Sequence, residues 1–330
     1  MYNEMFRNSI FFILALFPVI VGSCSKSPIE DYGEIGFTGR NNIVEEVVKA
    51  GSTLVDTDNE LKASSIGVFG LRSGTNSNFV TPVFETDAAK QVTWNSSSWS
   101  YTPKAKWVRS DYYRFRAFWP YDQLVADDAV NASSNANLLS ISYASGVQMY
   151  DLQVAYVERY PITEGVGTVD FKFKHVLSGL KFKVKFADPE TDYIESFYLK
   201  GLVTVGTLMY GEDGTNASAY DFRWIPIYTD NSSKLFEWSG SKMFSNTTEA
   251  TLFDKDGVVF IVPQSINDNT SLNFTTSTGG SALHTAVLPA TTFEPGKIYT
   301  YTIVIKDADI SLTVDIADWT DVDSNIDINL

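Results

Sequence analysis

The feature that most restricts the fold of this chain is a two-residue alternation of apolar and polar side chains, repeated in short runs. In Tyr113-Arg114-Phe115-Arg116-Ala117-Phe118-Trp119, residues Tyr113, Phe115, Ala117 and Trp119 fall on one face, and Pro120 then ends the ladder. Phe171-Lys172-Phe173-Lys174 and Lys181-Phe182-Lys183-Val184-Lys185-Phe186 alternate strictly. Tyr299, Tyr301, Ile303 and Ile305 share a face, as do Leu312, Val314 and Ile316. Successive side chains point to opposite sides only in a strand; a helix needs a spacing of three or four. The pattern therefore predicts strands with one buried and one wet face, as in antiparallel sheets. Breaks such as Ser73-Gly74-Thr75-Asn76, Asn95-Ser96-Ser97-Ser98 and Gly211-Glu212-Asp213-Gly214 separate the runs. Short strands with many turns imply sandwiches or barrels, an all-β class. Ile43 to Ala50 stays open between a short helix and a strand, because its valines sit at near-helical spacing but are β-branched.

A chain of 330 residues suffices for two domains. A fresh run of strands follows the turn-like Pro161-Ile162-Thr163-Glu164-Gly165, which places an N-terminal domain at 35–167 and a C-terminal domain at 168–330. The formal charge of −15 repels phosphate backbones and argues against a nucleic-acid partner.

Residues 1–23 read as a secretion signal, with Arg7 in a polar start and an apolar run from Ile10 to Val21. That run is too short to cross a bilayer core of about 30 Å as a helix. It ends in Val21-Gly22-Ser23-Cys24, and Cys24 is the one cysteine of the chain. Small residues before a lone cysteine resemble a bacterial lipobox, which implies cleavage before Cys24 and its acylation, so that the mature chain is tethered to a membrane by lipid. Residues 24–34 then form a polar, lipidated linker.

The sequence offers little for catalysis. Of the two histidines, His175 lies in a strand-to-turn segment and reads as a structural hydrogen-bonding group. No Gly-x-Ser-x-Gly elbow, zinc-spaced His or Cys cluster, or phosphate loop occurs. Asp321 to Asp327 partly resembles a calcium loop but has Ile326 at the sixth position, where glycine is needed. No enzyme activity, catalytic residue, metal or cofactor is expected. A rival to a purely structural role is glycan binding by a surface lipoprotein, with Trp94 and Trp99, on either side of a Ser-rich turn, as a stacking platform for sugar rings.

Several segments, in order, resemble the fimbrillin family of Bacteroidales type V pili: Ile66 to Gly70, the aromatic strand Tyr113 to Tyr121, Tyr150 to Ala155, Phe173-Lys174-His175-Val176-Leu177-Ser178-Gly179-Leu180-Lys181-Phe182, Val262-Pro263-Gln264, Phe293 to Tyr301, and Ile316-Ala317-Asp318-Trp319. The resemblance implies two tandem transthyretin-like, Greek-key antiparallel β-sandwich domains. It also implies a lipid-anchored surface protein of the fimbrium that acts in adhesion. In the family a trypsin-like protease cuts after an arginine and removes the first strand, and a strand from the next subunit fills the gap. Arg40, after Ile35-Gly36-Phe37-Thr38-Gly39, is the matching cleavage candidate. Strand-pairing candidates in the tail are the alternating Ile326, Ile328 and Leu330. This tail is short for a donated arm, so a tip or anchor fits as well as a stalk. Expected partners are other pilus subunits by strand addition, the membrane through the lipid, and a host protein or glycan.

Overall fold

The structure, a computed structural model, describes residues 32–41, 61–85, 89–132, 138–211, 222–227, 234–253, 257–277, 282–306 and 309–318. Its first part contains β1 (Gly36–Asn41), β2 (Ile66–Ser73), β3 (Thr81–Pro82), β4 (Lys90–Trp94), β5 (Trp99–Ser100), β6 (Tyr112–Trp119), β7 (Val130–Ala132), β8 (Leu138–Ala144), β9 (Gln153–Arg159) and β10 (Thr168–His175). Two short helices, α1 (Tyr121–Ala126) and α2 (Pro161–Glu164), lie among them. The second part contains β11 (Ser178–Phe186), β12 (Thr191–Lys200), β13 (Val205–Gly211), β14 (Phe222–Ile227), β15 (Leu235–Ser245), β16 (Ala250–Thr251), β17 (Val258–Ile261), β18 (Gln264–Ser265), β19 (Ser271–Thr276), β20 (Ala282–Val287), β21 (Thr292–Phe293), β22 (Lys297–Lys306) and β23 (Asp309–Asp318). Among the described residues no helix is long and apolar enough to cross a membrane.

The largest sheet runs β1-β10-β9-β6-β2-β4-β5, with β3 on β2. A second runs β14-β13-β8-β7, a third β16-β11-β22-β23 with β17 on β11, and a fourth β15-β12-β19-β20. Most neighbours are antiparallel. Two long pairings are parallel, β1 with β10 and β11 with β22. Alternation does not distinguish these cases, because it reports which face a side chain takes and not which way the neighbouring strand runs.

Two apolar layers cover the two faces of the largest sheet. On one side Val68, Tyr113, Phe115, Ala117, Trp119, Phe171 and Phe173 enclose a core with Ile35, Phe37 and Trp107. On the other side Phe69, Phe118 and Val154 meet Leu139, Ile141, Tyr143, Leu208 and Tyr210 of the β14-β13-β8-β7 sheet. The wet face expected for β6 is therefore covered: Arg116 and Phe118 are 2% and 0% exposed. Buried Arg116 lies with its guanidinium 4.9 Å from the Tyr156 ring centre, a contact that offsets part of the cost of taking a cation out of water. Pro120 ends β6 and begins α1, since proline cannot donate to a ladder but suits a helix start.

A third core joins the remaining two large sheets. Phe182, Val184, Tyr301, Ile303 and Ile305 face Ile194, Phe197, Phe244, Leu272 and Phe274. The chain passes from the first sheet to this sandwich at Val176 and Leu177, both fully buried. The turn is held by hydrogen bonds from Val176 N–H to the Leu152 carbonyl (3.1 Å), Gly296 N–H to the Leu177 carbonyl (2.8 Å) and Trp224 Nε1–H to the Val176 carbonyl (2.7 Å). His175, just before it, pairs through Nδ1 with Asp151 Oδ2 at 2.7 Å, and Gln153 Nε2 donates to the same oxygen. Strand pairing runs across the division between residues 167 and 168. Residues 168–175 form β10, which pairs with β1 and β9, and β13 pairs with β8.

Candidate functional site

The candidate site is β1 together with the groove it fills. Ile35, Phe37 and Gly39 point inward, and all three are buried. Along one side β1 runs parallel to β10, from Gly36 opposite Thr168 to Asn41 opposite Phe173. Along the other side the loop after β5 completes the pairing. Ile35 N–H donates to the Ala105 carbonyl (2.8 Å), and Trp107 N–H donates to the Gly33 carbonyl (3.1 Å). The Tyr101 hydroxyl donates to the Ile35 carbonyl at 2.7 Å, while Ala105 N–H donates to the Tyr101 oxygen at 3.2 Å. Burial, with Glu34 adding to it, pushes the Tyr101 phenol up to about 12; the Ala105 N–H bond opposes the shift. The two ends of the largest sheet thus approach each other, and β1 is the stave that closes the gap.

Each inward position meets a different surrounding. Phe37 sits among four rings: Tyr101, Phe115, Phe171 and Phe84, at centroid distances of 5.2, 5.4, 5.6 and 6.2 Å. Ile35 is fully buried in the same core. Beneath Gly39, on the inward side, lies the ring of Phe173. Burial of Ile35 and Phe37 contributes about 3–6 kcal/mol, at roughly 1.5–3 kcal/mol for each large apolar side chain. Removing β1 would expose a furrow with empty apolar pockets and a row of unpaired backbone groups on β10.

Arg40 points outward from this strand. Its side chain is 52% exposed, and Nη2 lies 3.0 Å from Asp170 Oδ2. So exposed a pair adds little stability and leaves the guanidinium within reach of a protease pocket. Arg40 stands opposite Lys172, one rung before the last of the ladder at Asn41, and end rungs of a strand open most readily.

The remaining sequence-derived sites fare differently. Cys24, Ile326, Ile328 and Leu330 lie outside the described residues, as do Trp319, the segment Ile43 to Ala50 and the acidic run Asp321 to Asp327. The last described strand, β23, is an edge strand paired with β22, and its Ile310, Leu312, Val314 and Ile316 pack half-buried on the third core. Trp94 and Trp99 do meet, but edge to face, with planes at 65° and centroids 5.7 Å apart. Trp99 is only 7% exposed, and Lys62 stands over the Trp94 ring at 5.1 Å. The pair forms no flat, open platform for a sugar, because cross-strand neighbours in the β4–β5 hairpin turn Trp99 into the core. Sequence reasoning missed Tyr101 as the group that grips β1. A tyrosine beside a cis Thr102-Pro103 turn carries no signal of the remote carbonyl it meets.

Comparison with known proteins supplies a lineage. Residues 53–319 match the model of the family described as Fimbrillin-like. The fimbrium subunit Fim1C of Phocaeicola vulgatus (strain ATCC 8482) is 26% identical over 298 residues, covering 73% of this chain and 77% of that one. The crystal structure of a fimbrial protein from Bacteroides vulgatus ATCC 8482 is similar in fold, with a TM-score of 0.62 at 20% identity over 87% of this chain and 99% of the other. The order of aromatic strands, the sandwich sheets and the match across most of the sequence agree: this chain belongs to the fimbrillin-like family.

Proposed function

We propose that the protein is a structural subunit of a surface fimbrium, active in adhesion rather than catalysis, and that it joins its neighbours by β-strand complementation at the groove now occupied by β1. The observation that carries this reading is the position of β1. It is the terminal strand of its sheet's order, separated in sequence from the strands beside it, and it fills apolar pockets through alternate residues. Such a strand can be replaced by any chain that offers the same alternation and free backbone groups. The remaining parts of the proposal follow the same logic. Cleavage after Arg40 frees β1, and Cys24 carries the lipid that holds the subunit at the outer membrane. The alternating tail positions Ile326, Ile328 and Leu330 are candidates for donation to a neighbour. Membership of a fimbrial family supports the association with other subunits.

The test is to cleave purified protein after Arg40 with a trypsin-like protease and follow assembly by gel without boiling. Heat-stable ladders are expected from cleaved protein, alone or with other fimbrial subunits, and none from an Arg40→Gln variant. Cleaved protein that stays monomeric, alone and with other fimbrial subunits, defeats the proposal.

A further inference from the structure

The groove under β1 imposes a side-chain order that strand exchange by itself does not specify. Its first two inward positions are filled by β1's own side chains, Ile35 and Phe37. Its third is filled from below by Phe173 of β10. A Cβ added at Gly39 would stand 3.0 Å from Phe173 Cε2, 3.5 Å from Cδ2 and 4.0 Å from Ile66 Cδ1. Phe173 and Ile66 are 1% and 0% exposed, and the Phe173 ring also packs on Phe171 at 6.1 Å. The ring is hemmed in, and a side chain longer than a methyl would overlap it. Backbone conformation does not explain the glycine, since Gly39 is not among the residues with left-handed φ. Room does.

Resting on the strand-exchange reading above, we infer that Phe173 is a specificity-determining residue of the groove, which accepts an extended strand bearing an aliphatic residue, a large aromatic residue and glycine at successive alternate positions. The partner is a chain whose exchanged strand has that order. The tail of this chain, aligned over all three positions, brings Ile326 and Ile328 to the first two and Leu330 against Phe173. The groove therefore disfavours that alignment.

Labelled peptides with the sequence of residues 32–41, carrying Gly, Ala or Leu at position 39, distinguish the outcomes when added to full-length protein cut after Arg40. The glycine peptide is expected to be taken up. The leucine peptide and a peptide of residues 321–330 should bind about tenfold more weakly or worse, the scale on which overpacking a tight site acts. Phe173→Ala should narrow the gap between glycine and leucine. In the uncut chain, Phe173→Ala should cost less stability against denaturant in the Gly39→Leu background than in the parent. Equal uptake of the glycine and leucine peptides by the parent overturns the role of Phe173 and leaves strand exchange standing. Uptake of no peptide at all overturns strand exchange. The uncut variants then decide the steric point alone, and an equal cost of Phe173→Ala in both backgrounds sinks it.

Discussion

The ring of Phe37 stacks on that of Phe171, with centroids 5.6 Å apart and planes 17° from parallel. The contact ties β1 to the neighbour it runs parallel to, β10. With Tyr101, Phe115 and Phe84 also around it, the Phe37 ring is the largest side-chain contact of β1, beside the ladder to β10 and the buried Ile35.

Phe37→Ala should cost about 3–5 kcal/mol, the range for deleting a buried aromatic side chain. Denaturant unfolding measures the loss. Limited proteolysis at Arg40 should also become faster, because a strand without its anchor opens more often. An unchanged proteolysis rate would mean that β1 is held elsewhere.

Tyr101→Phe removes the hydroxyl that grips the Ile35 carbonyl. Near neutral pH the variant should be less stable by about 1–2 kcal/mol. The sign of the pH dependence follows from the upward shift. The phenol's folded value, about 12, exceeds its ordinary value of 10.0, so its contribution is whole below about pH 10 and is lost as pH rises through about 12. The gap between parent and variant should therefore close over that window in alkaline titrations of stability. A constant gap would refute the assignment.

Asp151→Ala strips the buried partner from His175 and from Gln153 at the turn between sheets. Leaving buried donors unmet should cost about 1–3 kcal/mol each. Calorimetry checks the total, and amide exchange at Val176 and Leu177 should accelerate. No change at those amides would show that the turn is held by its backbone bonds alone.

Cys24→Ser should move the protein from the membrane fraction to soluble fractions. Two or three acyl chains hold a protein firmly, at roughly 0.8 kcal/mol per buried methylene, whereas the serine variant carries none. Fractionation with radiolabelled palmitate reads both effects. Retention of the serine variant in the membrane would remove Cys24 as the anchor.

Much of the fold was legible because strand side chains obey a local rule. Tyr113, Phe115, Ala117 and Trp119 share a face in the sequence and enter one core. Tyr299, Tyr301, Ile303 and Ile305 do so in another. The reading of His175 as a hydrogen-bonding group matches its pairing with Asp151. Trp94 and Trp99 were legible as neighbours but not as one buried and one half-covered ring, since burial depends on what a distant segment lays over them.

Alternation along the chain determined which segments are strands and which side chains turn inward, because the two-residue period is a property of the extended backbone itself. Only the tertiary structure decided that β1 lies parallel to β10, that Tyr101 holds its carbonyl, that Phe173 fills the place under Gly39, and that the second face of β6 is covered by β8 and β13. These are pairings between residues far apart in sequence. They are selected by the fit of whole surfaces, which no single segment encodes.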